Sequence, residues 1–274
     1  MHILKSIKQY LYSFFSNKAL IKEYQENQLL LEKDQVPPST LMSLVGDGEF
    51  KEVGDQFFNF FTDLGGLKPT DRVLDVGCGA GRMAMPLTNY LNPQGSYEGF
   101  DIFNDAIIWC TETIGLKYSN FKFQWIDVYS KYYNPNGKYK SSEYIFPFVD
   151  DSFDFVFLTS VFTHMLSEDM EHYMSEIARV LKSDGRCFIT FFLLNSDSLD
   201  DIHNQRSTFK FDHIMDGCRI DNIEIPEAVV AFDELKINHV FQKYSFIVES
   251  THYGSWSGRK DYLSFQDIII AKKI

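Results

Sequence analysis

One segment constrains this chain more than any other: Val73-Leu74-Asp75-Val76-Gly77-Cys78-Gly79-Ala80-Gly81-Arg82. A short apolar run entering closely spaced glycines predicts a buried strand feeding a tight turn, where backbone N–H groups approach a ligand with no Cβ in the way. The next helix would aim its positive end at an anionic group. A dinucleotide fingerprint needs G-x-G-x-x-G, and counted from Gly77 its third glycine falls on Arg82. That spacing argues against a nicotinamide-dependent oxidoreductase and leaves Asp-x-Gly-x-Gly-x-Gly.

Around the turn, helix and strand alternate. Phe57, Phe58, Phe60, Phe61 and Leu64 predict a buried helix ahead of the strand Arg72–Val76. After it come a strand over Ser96–Asp101, a helix over 104–114 and strands over 121–128 and Phe153–Leu158. A helix over 167–181, with Ser167 as its cap, precedes a strand over 186–194. This order predicts an α/β, doubly wound fold with a parallel sheet covered on both faces. Two β-rich runs, 244–251 and 263–272, flank a turn-rich loop at 253–259. The loop 129–147 and the polar insertion 195–225, ahead of a predicted helix over 226–238, are long enough to be functional, the insertion as a lid.

The first 48 residues read as a helical arm, with 49–274 as the main domain. Ile3, Leu4, Ile7, Leu11, Phe14 and Phe15 share one helical face among lysines. Such a face packs on the body or a second subunit, or lies on an anionic membrane surface. Lysines interrupt the apolar stretch and no small-residue cleavage site follows, so it is not a secretory signal. Of the net charge of −12, four lysines in the first 22 residues contribute +4, so the remainder carries −16 and disfavours nucleic acid as a partner. The longest apolar runs fall far short of the roughly 20 residues a bilayer-spanning helix needs. Cys78, Cys110, Cys187 and Cys218 form no CxxC pair, so no metal site is expected and reduced, cytoplasmic thiols are.

The glycine turn and the segments after it resemble the class I S-adenosylmethionine-dependent methyltransferases. The resemblance implies a Rossmann-like, seven-stranded, mostly parallel sheet and S-adenosyl-L-methionine as cofactor. It places Asp75, Gly77, Cys78, Gly79 and Arg82 at the cofactor. In Tyr97-Glu98-Gly99-Phe100-Asp101-Ile102 it makes Asp101, next to Ile102, the holder of the ribose hydroxyls, a diol that one carboxylate can accept from twice. It implies that Asp127 accepts from the adenine amino group, that the Val128 backbone meets the ring edge, and that Ser160, in the exit of the fourth strand, lies near the transferable methyl. Ser183 and Asp184 stand where proline and glycine are usual, which is expected to change a turn and leave activity intact.

The acceptor is then expected to be a small molecule, with a hydroxyl ahead of a nitrogen; the alternative outside enzymes is a methyltransferase-like binding module without catalysis. A hydroxyl needs a base, and His164, just past the fourth strand at the ligand-binding edge, is the candidate, with His213 and His252 weaker. Tyr253, Trp256 and Arg259 are expected to wall a pocket for a sugar, phenol or carboxylate.

Overall fold

A strand buried on both faces needs apolar side chains throughout, and the runs at Arg72–Val76 and Phe153–Leu158 meet that demand. In the computed structural model, which describes residues 36–42, 45–46 and 48–274, they lie side by side in a seven-stranded sheet. In chain order the elements are α1 (Phe50–Asp63), β1 (Arg72–Val76), α2 (Ala84–Leu87), β2 (Ser96–Asp101), α3 (Asn104–Cys110), β3 (Phe121–Trp125), β4 (Phe153–Leu158), α4 (Ser167–Val180) and β5 (Leu181–Phe191). They continue with β6 (Leu193–Leu194), α5 (Ser196–His203), β7 (His213–Met215), β8 (Cys218–Ile220), β9 (Val230–Asp233), α6 (Glu234–Lys243), β10 (Phe246–His252) and β11 (Asp267–Lys273). The main sheet runs β10-β11-β5-β4-β1-β2-β3, and only β11 is antiparallel to its neighbours. The expected doubly wound, seven-stranded sheet is present. The predicted N-terminal helix lies outside the described residues, and no described helix is long and apolar enough to cross a membrane.

Alternate side chains of the central strands feed two cores. Leu74, Val76, Val156 and Leu158 face α4 and α6 through Met174, Ile177, Ile237 and Phe241. Val73, Phe155, Phe157 and Phe188 face α1 and α3. Phe61, fully buried in α1, sits with its ring 4.4 Å from Phe157 and 4.9 Å from Phe188. Truncating such a ring to alanine costs about 3–5 kcal/mol. Ser167, expected as a cap, is instead the first residue of α4, and its hydroxyl accepts from Lys236 Nζ at 2.9 Å. Asp184, where glycine is usual, does adopt left-handed backbone (φ +64) and pairs with Lys272 at 2.7 Å. Aspartate tolerates that region better than most side chains, and the departure falls at a register irregularity within β5.

The region beyond β5 departs from expectation. The stretch 195–225 is not a polar loop: it forms α5 and the strands β7 and β8, which join a second sheet ordered β6-β9-β8-β7. Asn195 caps α5 through a capping box with Ser198, while Phe211, Cys218 and Ile220 supply buried apolar surface. The helix predicted over 226–238 divides into a single turn at Pro226–Ala228, the strand β9 and then α6. The true helix start is Asp233, whose carboxylate accepts from the Leu235 and Lys236 N–H groups, and the apolar run before it is buried as a strand between β6 and β8.

Candidate functional site

Parallel strands share a polarity, so β1, β2 and β4 end at one edge of the sheet, where open α/β folds bind ligands. A cavity of about 570 Å³ opens there, lined from both cores and from the loops above the edge. Gly77 (φ +82) and Gly79 (φ +51) take left-handed backbone, and a Cβ would come within 2.5 Å of Val161 Cγ2 on the first or Val45 Cγ1 on the second. Both positions therefore require glycine. Val45 and Gly46, which precede the expected arm boundary at residue 48, line the cavity too.

The N–H groups of the turn do not point to a ligand as expected. Gly77 and Cys78 donate to the Phe100 carbonyl at 2.9 and 3.1 Å, Gly79 donates to Asp101 Oδ2 at 2.7 Å, and α2 is only four residues long. The turn lacks Cβ atoms at Gly77 and Gly79, and these three N–H groups are engaged within the protein. Asp101 Oδ1 accepts from the Phe103 N–H at 2.9 Å, so each carboxylate oxygen holds one backbone donor and retains a lone pair. Burial pushes the Asp101 carboxyl up, opposed by the Phe103, Gly79 and Ile102 N–H groups. Asp75 Oδ2 accepts from the Tyr97 hydroxyl at 2.6 Å, while Oδ1 is buried without a hydrogen-bond partner among the described residues. Burial raises the Asp75 carboxyl to about 8, against the Tyr97 bond. An unpartnered carboxylate oxygen at a cavity wall suits a ligand donor or cation.

Cys78, Arg82, Ile102, Val128 and Ser160 also line the cavity. Burial pushes the Cys78 thiol far up, which keeps it unreactive. Ser160 has left-handed backbone (φ +60) at the exit of β4; its N–H donates to Thr190 Oγ1 at 2.8 Å and its hydroxyl to Gln266 Oε1 at 3.1 Å. Asp127 does not line the cavity. Its carboxylate accepts from the Lys138 N–H at 3.4 Å, because the chain leaves the sheet after Trp125 and folds 127 against the returning residues 138–139 of the loop. Its neighbours Ile126 and Val128 face the cavity instead.

His164 lines the cavity from the turn Phe162–His164, which follows β4. Its Nδ1 is 3.1 Å from the Glu227 carbonyl and its Nε2 is 3.2 Å from the Tyr133 hydroxyl. Burial lowers its pKa, against the pull of the Glu227 and Ala228 backbone. Tyr133, Asp169, Tyr173, Glu227 and Gln266 share the cavity and carry no sequence signal that singles them out. Burial, then Glu227 and Glu168, raise Asp169 to about 6. His213 and His252 do not line the cavity; His252 Nε2 pairs with Ser250 Oγ at 3.2 Å.

Tyr253, Trp256 and Arg259 do not wall the cavity. The Tyr253 hydroxyl donates to Glu234 at 2.6 Å, Arg259 stacks over the Tyr253 ring at 4.3 Å and donates to Asn195 Oδ1 at 3.0 Å, and Trp256 is fully buried against Phe192 and Phe211. The cause is Asp267, a buried carboxylate accepting from the Gly254 N–H (2.6 Å), the Leu193 N–H (2.6 Å) and Trp256 Nε1 (2.8 Å). It pins the outgoing limb of the loop to the second sheet and leaves the returning limb, Ser264, Phe265 and Gln266, on the cavity. The insertion 195–225, expected as a lid, supplies no lining residue; Glu227, just after it, does.

A methyltransferase-domain family model matches residues 67–243. The probable cobalt-precorrin-6B C(15)-methyltransferase (decarboxylating) of Thermoplasma acidophilum is 29% identical over 119 residues, 42% of this chain and 51% of the relative, so the match spans about half of that protein. Among solved structures, a SAM-dependent methyltransferase from Aquifex aeolicus superposes with TM-score 0.54 at 19% identity, covering 87% of this chain and 100% of that one. The magnesium protoporphyrin IX methyltransferase of Synechocystis PCC 6803, solved with bound SAH, superposes with TM-score 0.52 at 18% identity over 85% and 92% of the two chains.

Proposed function

The chain belongs to the methyltransferase-domain family, the S-adenosylmethionine-dependent methyltransferases, and from that premise we propose that it methylates a hydroxyl of a small molecule held beside His164. The cavity fits the cofactor. The Cβ-free turn at Gly77 and Gly79 admits it closely, Asp101 retains a lone pair on each oxygen for the ribose diol, and Asp75 Oδ1 awaits a donor. Ile126 and Val128, rather than the Asp127 carboxylate, would wall the adenine. Arg82 and Ile102 complete the lining, and Ser160 marks the side nearest the reaction. When bound, S-adenosylmethionine supplies a methyl group made electrophilic by its sulfonium. The protein has to align an acceptor with it, exclude water and take a proton.

The observation that carries the hydroxyl reading is the state of His164. A carbonyl can only accept, so the neutral ring carries its proton on Nδ1 toward Glu227, and Nε2 is left as a proton acceptor inside the cavity wall. Burial keeps the ring neutral. A hydroxyl nucleophile needs such a base, whereas a neutral amine does not. The carboxylates of Asp169 and Glu227 on the same wall favour nitrogen as the second reading, since they suit a basic acceptor. Four buried, unpaired thiols support a reducing compartment, the cytoplasm.

The test incubates the protein with methyl-labelled cofactor and a cell extract filtered free of macromolecules, then locates the added methyl by mass spectrometry. A methyl ether is expected; a methylated amine, or no labelled product, overturns the hydroxyl assignment. His164→Ala should lower the single-turnover rate about 100-fold with S-adenosylhomocysteine affinity preserved.

A further inference from the structure

Both ring nitrogens of His164 are already engaged. Nδ1 donates to the Glu227 carbonyl, which forces Nε2 to accept, and the group that donates to it is the Tyr133 hydroxyl at 3.2 Å. An acceptor hydroxyl cannot reach Nε2 without displacing that phenol. Tyr133 itself faces the cavity, in the loop between β3 and β4. Its ring stands edge-on to His164 (centroids 5.2 Å, 86°), to Phe103 (5.5 Å, 84°) and to Tyr132 (4.5 Å, 78°), so its orientation is set on three sides.

Glu227 reaches both members of the pair, His164 directly and Tyr133 through Ser130. Its carbonyl holds His164, and its carboxylate accepts from the Ser130 hydroxyl at 2.6 Å and the Tyr132 N–H at 3.3 Å. Ser130 Oγ in turn accepts from the Tyr133 N–H at 3.2 Å. One residue from the segment between the second sheet's strands thus registers the loop bearing the tyrosine against the turn bearing the histidine. Burial pushes the Tyr133 phenol far above its ordinary value, so it keeps its proton at neutral pH and cannot be the final base alone.

The geometry points to Tyr133 as a second catalytic residue: its hydroxyl meets the acceptor hydroxyl and relays the proton to His164 Nε2. This rests on the hydroxyl-transfer reading above. In the step, the acceptor O–H proton passes to Tyr133 Oη while the proton of Tyr133 passes to Nε2. The oxygen pair so released forms the bond to the methyl carbon, and the carbon–sulfur pair stays on sulfur. The products are an ether, a neutral thioether and an imidazolium, so one positive charge is present before and after. The Glu227 and Asp169 carboxylates on the same wall favour that imidazolium.

Two measurements test this. In ligand-free protein, the ¹⁵N spectrum of His164 should show Nδ1 protonated and Nε2 as an acceptor, and Tyr133→Phe should shift the Nε2 resonance with the fold intact. The opposite tautomer, or an unmoved Nε2 signal, overturns the pairing without reference to turnover. In single-turnover label transfer to the filtered cell extract, Tyr133→Phe and His164→Gln should each lower the rate about 100-fold, with S-adenosylhomocysteine affinity unchanged and the double variant no slower than either single one. A rate near native in Tyr133→Phe with a large loss in His164→Gln means that His164 acts directly, which overturns the relay and leaves the hydroxyl reading standing. A rate near native in both overturns the base reading and the relay together.

Discussion

The two ends of the cavity are built differently. At the end proposed for the cofactor the groups come from two adjacent strand ends: Asp75 lies in β1 with Gly77 and Gly79 just after it, Asp101 closes β2, and the N–H of Gly79 joins them at 2.7 Å. At the end proposed for the acceptor the groups come from four distant places, Tyr133 in a loop, His164 in a turn after β4, Glu227 between two strands of the second sheet and Gln266 ahead of β11. The first end is fixed by the local geometry of a strand entering a turn, which every parallel sheet repeats. The second exists only once the whole chain has packed, so its chemistry can vary while the first stays constant.

The largest effect expected from this contrast is on Asp101. Asp101→Ala removes the acceptor for two backbone N–H groups as well as for the ribose diol. S-adenosylhomocysteine binding should weaken by about 1.5–3 kcal/mol in a calorimetric titration. Affinity equal to native would mean that the cofactor end does not depend on its strand-end acid. Asp75 sharpens the same end through pH. A carboxyl raised to about 8 is largely protonated at neutrality, and a cationic ligand favours its ionised form, so binding should release a proton below pH 8. Affinity should rise by up to about tenfold per pH unit toward that value. Asp75→Asn should abolish both effects in titrations run in buffers of different ionisation enthalpy. For folding without ligand the sign is reversed: the native carboxyl binds its proton more tightly than the unfolded one, so stability present below the ordinary value of 3.8 is lost as pH rises toward 8.

At the other end, Trp256→Phe should lower stability by about 1 kcal/mol in chemical denaturation, since Asp267 loses one of three donors, while methyl transfer stays near native. The smallest effect is assigned to Arg259→Ala, whose turnover should lie within about twofold of native, the range usual for a side chain away from the site. A tenfold loss there would return the 253–259 loop to the acceptor wall.

The same contrast explains what could be read in advance. Strand ends in parallel sheets put their polar groups in register with the glycine turn, so spacing and resemblance point to Asp75, Gly77, Gly79 and Asp101 together, and all four line the cavity. An aromatic loop at the ligand edge has the composition of a pocket wall, which points to Tyr253, Trp256 and Arg259. Which limb of that loop faces inward depends on Asp267, an acid at the head of an apolar strand whose three donors come from residues 193, 254 and 256. The start at Pro226-Glu227-Ala228 looked like a helix N-terminus, and only the pairing of β9 with β6 and β8 shows that the cap is seven residues later, at Asp233. Tyr133 was hidden for the same reason: its partner is 31 residues away and its loop has no period.

The position of β11 has a consequence for how this site comes into being. It follows every other strand in the chain, yet it lies between β10 and β5, and the residues just ahead of it line the cavity. During synthesis β10 therefore has no neighbour in the main sheet until β11 has left the ribosome, and pairing across so long a stretch of chain is slow. A nascent chain can complete the cofactor end from its first strands well before the acceptor end closes. Cofactor already present in the cell would then bind and stabilise an unfinished enzyme by mass action, drawing its folding toward the finished one.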